Sequence, residues 1–202
     1  MKYIIYRNDG IGDLIVTTPF IESLRIIDKN SYIYLVCSKR NHLYAKILLK
    51  NKLINEIILS VDKGKNLYDL YKLSKSVFKI NPDYSIVLKS SNTNFLSALF
   101  NLRSKIIGTI YVNENNKETP NKLMQRFFYK NEKIDCRNNY QNSSHILMKD
   151  HYKSLFHKTF SSNIDLYQNK YFTPLLDDIN SIYNFNIKEI EFKKNILIHI
   201  DE

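Results

Sequence analysis

Residues 7–13, Arg-Asn-Asp-Gly-Ile-Gly-Asp, decide the fold that the sequence predicts. The residues just before them, 2–6, are mostly β-branched or aromatic, and the residues after them place Leu14 and Ile21 on one helical face. The segment therefore predicts a strand, a tight glycine-containing turn and a helix. Backbone N–H groups and the positive end of the helix dipole meet at such a turn and attract a ligand. We expect Asp13 to lie at the lip of this turn.

The chain continues from this turn as alternating helices and strands. The first helix should run to about residue 27. Further strands are predicted at residues 32–37, 54–61, 84–88 and 105–111, with helices at 41–51, from 67 to just before 81, and at 92–102. This alternation is typical of an open, mainly parallel sheet with helices on both faces, so we predict an α/β, Rossmann-like fold.

Ligands of such sheets bind beyond the carboxyl ends of the strands. Residues 7–13, 38–42 and 89–92 should therefore lie along one edge of the sheet. From the sequence alone, a solvated loop at 38–42 and a helix start at 89–92 are alternative interpretations of the two later segments.

In the second half of the chain the pattern is less regular. Residues 113–120 read as a polar loop, 121–129 as a short basic-aromatic helix, 144–160 as a longer helix, 177–187 as partly helical and 194–200 as a buried strand. The three histidines of the longer helix are six residues apart. A six-residue step turns a helix by about 240° net, so these side chains cannot share a face. We predict no metal site.

Three residue types in the first turn and helix carry backbone expectations. Gly10 and Gly12 are expected to supply positive φ or a close backbone approach. Pro19 lacks an N–H, so it should kink or restart the helix, and Thr18 is a candidate N-cap for the restarted part.

The net charge of +10 invites a nucleic-acid or membrane interpretation. Only six of the 30 basic residues are arginine, and lysine is accompanied by abundant Asn, Ile and Tyr, which resembles a compositional bias. No nucleic-acid motif is recognised, so we predict no nucleic-acid partner. Acidic or phosphorylated substrates and a peripheral contact with the inner membrane are compatible with the charge.

The lengths of the apolar runs and the cysteine content indicate an ordinary intracellular globular protein. No apolar run approaches the ~20 residues that span a bilayer, and the N-terminus lacks the apolar core of a signal peptide, so we expect a cytoplasmic location. Cys37 and Cys136 lie far apart without metal-ligand spacing, so we expect reduced thiols and neither a disulfide framework nor a zinc site.

Several known motifs are missing from the first turn. Gly10 and Gly12 give G-x-G, but Ile15 stands where the dinucleotide fingerprint has its third glycine, and no Gly-Lys-Ser/Thr follows. The sequence also lacks a G-x-S-x-G elbow and an H-E-x-x-H pair. A nicotinamide enzyme is therefore disfavoured, and no cofactor is predicted.

Residues 7–20, behind a strand near the start, resemble the N-terminal signature of glycosyltransferase family 9, the bacterial lipopolysaccharide heptosyltransferases. The shared pattern is a basic residue after the first strand, Gly-Asp at the helix start, and Thr-Thr-Pro one to two turns later. Residues 144–147 are similar to the family's helix late in its first domain, and residues 196–199 resemble the opening strand of its second domain. The resemblance covers nearly the whole chain in order, but only its first motif is specific.

The resemblance implies the N-terminal half of a GT-B glycosyltransferase, in which two Rossmann-like domains face each other across a cleft. The first domain is expected to hold the acceptor and the second the nucleotide sugar, typically ADP-heptose, with inversion at the anomeric centre. Asp13 matches the family's general base, because an attacking hydroxyl must lose its proton. Arg7 and Asn8 are expected to orient an acidic acceptor sugar such as Kdo. Gly10 and Gly12 complete the expected acceptor site.

Spacing alone leaves a second interpretation of Asp13 open. Carboxylates in the first turn of a helix are common because they stabilise it by ~0.3–1 kcal/mol.

The resemblance to family 9 also implies a domain division. Residues 1–190 are expected to form the acceptor-side domain and residues 191–202 the first strand of a donor-binding domain that is otherwise absent. We therefore expect either a truncated transferase or one that depends on a separate donor-binding chain, with a glycolipid or oligosaccharide acceptor. A noncatalytic sugar or phosphosugar binder on the same fold is the alternative, which leaves it open whether the chain is an enzyme.

Overall fold

A seven-stranded sheet forms the centre of the chain. The computed structural model describes residues 1–60, 67–101, 103–135 and 148–160. The strands are β1 (Lys2–Tyr6), β2 (Tyr32–Cys37), β3 (Glu56–Leu59), β4 (Tyr84–Val87), β5 (Lys105–Val112), β6 (Glu118–Thr119) and β7 (Lys130–Asp135). The helices are α1 (Ile11–Ile27), α2 (His42–Lys50), α3 (Leu67–Phe78), α4 (Asn92–Leu99), α5 (Lys122–Gln125) and α6 (Met148–Phe160).

The sheet is parallel except for one short strand. Its order is β3-β2-β1-β4-β5, with β7 parallel to β5 and β6 antiparallel to the last two residues of β5. The chain builds outward from β1 to β3 and then crosses over to place β4 on the other side of β1. The strand order thus reverses between β1 and β4, which is where open α/β sheets bind ligands. The predicted α/β, Rossmann-like, mainly parallel fold is confirmed.

Helices cover both faces of the sheet. On one face, Ile4 and Tyr6 of β1 belong to a buried cluster with Leu73 of α3 and Phe95 of α4. On the other face, Tyr3 makes an edge contact with Phe160 of α6 at a ring-centroid distance of 6.2 Å. Burying a side chain of this size contributes about 1.5–3 kcal/mol, so the strand alternation read from the sequence becomes two hydrophobic cores.

Helix α1 runs without interruption through Pro19, so the predicted restart at this residue is wrong. Thr18 is not an N-cap, since its hydroxyl donates to the carbonyl of Leu14 at 3.1 Å inside the helix. Pro19 and its neighbours are buried, and packing of a helix on a core outweighs the loss of a single backbone hydrogen bond.

Two strands differ from the sequence-based prediction. The segment predicted as a polar loop contains β6, and β7 was not predicted at all. Strand β7 carries four charged side chains, and of its residues only Ile134 is buried, so the alternation of a half-buried strand is missing. Its backbone pairing with β5 stabilises it, and a hydrophobic pattern cannot show such pairing.

Helix α5 covers only part of the predicted segment 121–129, because Asn121 caps it and it ends after one turn. The first residues of the helix predicted at 144–160, the segments at 177–187 and 194–200, and the domain division at 190 all lie outside the described residues. Among the described ranges, no helix is both long and apolar enough to cross a bilayer.

Candidate functional site

The candidate site lies where the strand order reverses, at the carboxyl ends of β1 and β4 and the start of α1. The backbone N–H of Arg7 donates to Val36 of β2 at 2.9 Å, and that of Lys89 donates to Tyr6 of β1 at 3.0 Å. The three segments that were predicted to share one edge are thus adjacent, and this prediction is confirmed.

Arg7 forms the floor of the site, with its side chain fully buried. Its Nη2 donates to the Asp13 carboxylate at 2.9 Å, its Nε to the Asp13 carbonyl at 3.1 Å, and its Nη1 to the Leu88 carbonyl at 2.9 Å. Burial by itself lowers the pKa of Arg7, but neighbouring Tyr152 and Asp9 raise it overall. A guanidinium held in this way stays charged and fixes α1 against the end of β4.

Tyr152 of α6 packs against the buried side of the site. Its ring lies under the guanidinium, with Cζ of Arg7 5.4 Å from the ring centroid, a distance typical of a cation–π contact. Burial raises the pKa of the Tyr152 hydroxyl well above its ordinary value. The buried charge of Arg7 is therefore sandwiched between carboxylates and an aromatic face.

Asp13 stands at the mouth of the site, and 47% of its side chain is exposed. One carboxylate oxygen accepts from Arg7, and the other accepts from the backbone N–H of Gly10 at 3.2 Å. Each oxygen offers two acceptor positions, so the group keeps capacity for another donor. The Asp13 carboxylate is thus held by two hydrogen bonds on its protein side and is accessible on its solvent side.

Asp9 is a second carboxylate in the site, which the sequence analysis did not single out. Its side chain is only 12% exposed and pairs with Arg7 Nε at 3.3 Å and Lys89 Nζ at 3.5 Å. Burial raises the pKa of Asp9; the charge of Arg7 opposes the rise and that of Asp13 adds to it. Asp9 follows Arg7 by two residues in the same turn, and an acidic residue so close to a buried arginine is a signal that could have identified Asp9.

Asn41 and Ser38 hold the end of β1 from the β2 side. Asn41 donates to the Arg7 carbonyl at 2.7 Å and accepts from the Ser38 N–H at 2.9 Å. The Ser38 hydroxyl donates to the Asp9 carbonyl at 3.0 Å. The polar residues after β2 therefore support the backbone of the site, and only their position at a strand end pointed to this role.

Asn8 and Asn94 form a reciprocal amide pair that joins β1 to α4. Each side-chain amide donates to the carbonyl oxygen of the other, at 3.0 and 2.9 Å. Asn8 also donates to the Ser60 hydroxyl at 3.1 Å, and Asn94 to the Lys89 carbonyl at 3.1 Å. The pair thus holds the segment that follows β1 against the first turn of α4.

Replacing Asn94 with alanine should destabilise the protein by about 1–3 kcal/mol, because buried partners on Asn8 and Lys89 lose their hydrogen bonds. Urea unfolding measures the change. Asn92→Ala provides the matched control, since Asn92 is an exposed asparagine in the first turn of the same helix. Equal destabilisation by both substitutions would remove the amide pair from the framework of the site.

Neither glycine of the first turn has a positive φ, and only Gly10 shows the expected close approach. Gly10 has φ −72° and ψ 165°, so it does not supply a positive φ. Its bare Cα instead permits the close approach of Asp13, since a Cβ on Gly10 would lie 3.2 Å from a carboxylate oxygen. Gly12 also lacks a positive φ, and a Cβ there would meet nothing within 4 Å. It leaves the N-terminus of α1 uncovered.

The predicted site residues are thus gathered at one place, but with different access. Asp13 and Gly12 face the opening, whereas Arg7 is fully buried and its N–H groups point to protein acceptors. A direct contact between Arg7 and an acceptor sugar needs an exposed guanidinium. Two of its donor nitrogens, Nε and Nη2, donate to Asp13. Among the described ranges, no three His, Cys, Asp or Glu side chains gather as metal ligands.

No protein-family model matches the sequence, and a comparison with curated proteins finds no match. Solved structures do match. A glycosyl transferase family 9 protein from Veillonella parvula has 20% identity and a TM-score of 0.59, over 80% of this chain and 42% of that chain. The E. coli ADP-heptose lipopolysaccharide heptosyltransferase II has 16% identity and a TM-score of 0.57, over 86% and 46% of the two chains.

The E. coli heptosyltransferase WaaC, solved with ADP, has 12% identity and a TM-score of 0.56, over 81% of this chain and 48% of that chain. The chain therefore has a heptosyltransferase-like fold of the kind found in glycosyltransferase family 9. It spans about half the length of the solved structures that it matches.

Proposed function

We propose that this chain, which has the heptosyltransferase-like fold of family 9, is the acceptor-side half of an inverting glycosyltransferase. The reaction is transfer of a heptose from ADP-heptose to a lipopolysaccharide core or related glycan. One observation carries the proposal: the half-exposed Asp13 carboxylate stands at the reversal point of the sheet, oriented by a fully buried arginine.

Asp13 acts as general base in the proposed reaction. The acceptor hydroxyl oxygen attacks the anomeric carbon of the donor, the bond from that carbon to the nucleoside diphosphate breaks, and the hydroxyl proton passes to Asp13. The pair of hydrogen bonds from Arg7 and the Gly10 N–H leaves the outer side of the carboxylate for the hydroxyl. The positive end of α1 and Arg7 provide charge on the protein side of the carboxylate.

Acceptor recognition is assigned to groups that reach the opening. Gly12 leaves the first turn of α1 bare, and its unpaired N–H groups suit an anionic or hydroxyl-rich ligand. Lys89 is 37% exposed beside Asp9 and offers a cation to an acidic sugar. The amide donors of Asn8 are committed to Ser60 and Asn94. Direct contact with the acceptor is therefore proposed for Gly12 and Lys89, and support for Asn8 and Arg7.

The donor site is proposed to come from a second Rossmann-like half outside the described residues. One similar structure contains ADP and another contains ADP-2-deoxy-2-fluoro heptose, and this chain covers 48% and 49% of their lengths. A nucleotide-sugar donor suits the proposed chemistry, because ADP leaves as a stable anion. The donor half is supplied either by the same polypeptide or by a separate chain.

Incubation with ADP-heptose and a Kdo-lipid A acceptor tests the proposal, with product detected by mass spectrometry. The chain is assayed alone and together with the product of the neighbouring reading frame. Heptose transfer in either arm supports the enzyme. Acceptor binding without transfer in both arms would favour the alternative, a noncatalytic sugar-binding domain, and failure to bind the acceptor would contradict both.

A substitution at Gly12 tests acceptor binding separately from the stability of the fold. Gly12→Ala should leave stability unchanged or raise it by up to ~1 kcal/mol, because alanine favours helix and the new methyl meets open space. The same methyl should weaken acceptor binding about tenfold by blocking access to the helix N-terminus. Calorimetric titration measures binding and thermal unfolding measures stability. Ser76→Ala on exposed α3 is the control, and unchanged binding in Gly12→Ala would move the acceptor away from this turn.

A further inference from the structure

Helix α3 carries an outward aromatic stripe that no part of the described structure covers. Leu73 and Val77 point into the buried cluster beneath the helix. Tyr68, Tyr71 and Phe78 are on the outside, with 70%, 61% and 65% of their surface exposed. Aromatic residues of this size at such exposure indicate a surface that meets something other than water.

The stripe follows helical spacing and includes a cation. Tyr68, Tyr71, Lys75 and Phe78 are separated by three, four and three residues, which places them along one side of α3. The ammonium group of Lys75 lies 6.0 Å from the centroid of the Tyr71 ring. We define these four residues as the α3 face.

Lysines predominate along the α3 face, where Asp69 is the one acidic residue between Tyr68 and Phe78. Lys72 and Lys79 are exposed beside it, and residues 70–82 contain no acidic residue. This distribution favours an anionic partner. It disfavours an apolar protein surface, which would leave the lysines without counter-charges.

Further exposed apolar and basic residues lie on the same side of the sheet as α3. Met124 of α5 packs against the buried cluster under α3, so α5 lies on this side of the sheet. Phe100, Leu123 and Phe127 are exposed large apolar residues of this layer. The segment 121–130 adds two lysines and an arginine and has no acidic residue. The cationic and aromatic character is therefore a property of the layer.

We propose that the α3 face docks the protein on an anionic lipid bilayer. Tyrosine and phenylalanine enter the headgroup region, where amphipathic rings are favoured, and the interleaved lysines pair with lipid phosphates. Lysine stems extend along apolar surface while their ammonium groups reach the headgroups. The face lies on a helical layer, whereas the candidate site lies at the strand ends, so docking leaves the site open to an acceptor held in the membrane.

Vesicle binding tests this proposal independently of the proposed reaction, because it needs neither donor nor acceptor. The full chain should sediment with phosphatidylglycerol vesicles and not with phosphatidylcholine vesicles. Replacing Lys72, Lys75 and Lys79 with glutamine should weaken binding about fivefold per lysine. Tyr68→Ser, Tyr71→Ser and Phe78→Ser together should weaken it about tenfold or more.

Matched changes elsewhere separate a docking face from general charge attraction. Lys29, Lys46 and Lys52 are exposed lysines outside α3, and their replacement by glutamine removes the same charge. This control should lose much less affinity than the α3 variant. Equal losses would overturn the proposal, as would the absence of binding to phosphatidylglycerol vesicles.

Fluorescence locates the contact. The chain has no tryptophan, so Tyr71→Trp introduces a single probe. Its emission should shift to the blue on phosphatidylglycerol vesicles, whereas that of Tyr32→Trp on the exposed start of β2 should not. No shift at position 71, or the same shift at both positions, contradicts docking through α3. Binding to RNA that depends on the same lysines, without vesicle binding, would assign the face to a polyanion instead.

Discussion

Asp13→Asn should abolish heptose transfer, with a loss of about 10²–10⁴ in kcat, while acceptor affinity changes by less than about threefold. The amide can still accept one hydrogen bond from Arg7, but it cannot take the proton of an attacking hydroxyl. The measurement is single-turnover transfer in the combination of chains that forms product. Acceptor binding is measured in parallel by calorimetry.

A second carboxylate lies close enough to compete for the catalytic role. Asp9→Asn is therefore made alongside, because Asp9 is mostly buried and committed to Arg7 and Lys89. It should retain transfer within about tenfold of the unmodified chain. Glu22→Gln, the same chemical change further along α1, should have no effect. If Asp9→Asn abolishes transfer and Asp13→Asn does not, the base is Asp9 and the assignment of Asp13 is wrong.

Arg7→Met should destabilise the protein by about 3–5 kcal/mol at pH 7, the largest stability change we expect from a single substitution in the site. Methionine keeps the apolar contact with Tyr152 but leaves the buried Asp9 carboxylate without its main counter-charge. It also removes the donor that holds Asp13. Urea unfolding measures the free energy, and transfer by the folded fraction should also fall.

The loss in Arg7→Met should be smaller at pH 5 than at pH 7. The pKa of Asp9 is already raised in the folded protein by burial, and without Arg7 it should rise further. A carboxyl group with a raised pKa binds its proton more tightly when folded, so its stabilising contribution is present at low pH and is lost as the pH increases through that value. At acidic pH the variant can therefore fold with a neutral Asp9.

Two further variants identify the cause. Arg25→Met removes an arginine that donates to the Leu53 and Ser31 carbonyls without a buried carboxylate, so its loss should be smaller and nearly independent of pH. Adding Asp9→Asn to Arg7→Met should recover part of the stability. A pH-independent loss in Arg7→Met, or no recovery in the double variant, would show that packing and not charge makes Arg7 important.

The local spacing of apolar residues was sufficient to predict the strands at the centre of the fold and the helices between them. Strands β1, β2, β4 and β5 follow buried apolar runs, and the helices between the strands follow helical spacing. Strand β3 was also predicted from its apolar run, although none of its four residues is buried. Strand β7 shows the limit, since its residues are polar and its stability comes from hydrogen bonds to β5. Pro19 shows another limit, because packing overrides the local preference to end the helix.

By itself the sequence determined the parallel α/β fold, the placement of Asp13 at the end of the first turn, and the adjacency of three strand ends, since all of these follow from local periodicity and chain order. Only the tertiary structure decided which site residues are buried and which are exposed. Arg7, an expected acceptor ligand, is buried with its guanidinium against the Tyr152 ring and its Nη1 donating to the Leu88 carbonyl, and these two partners are 81 or more residues away in the chain. Burial and charge balance depend on such distant contacts, and a pattern of neighbouring residues does not contain them.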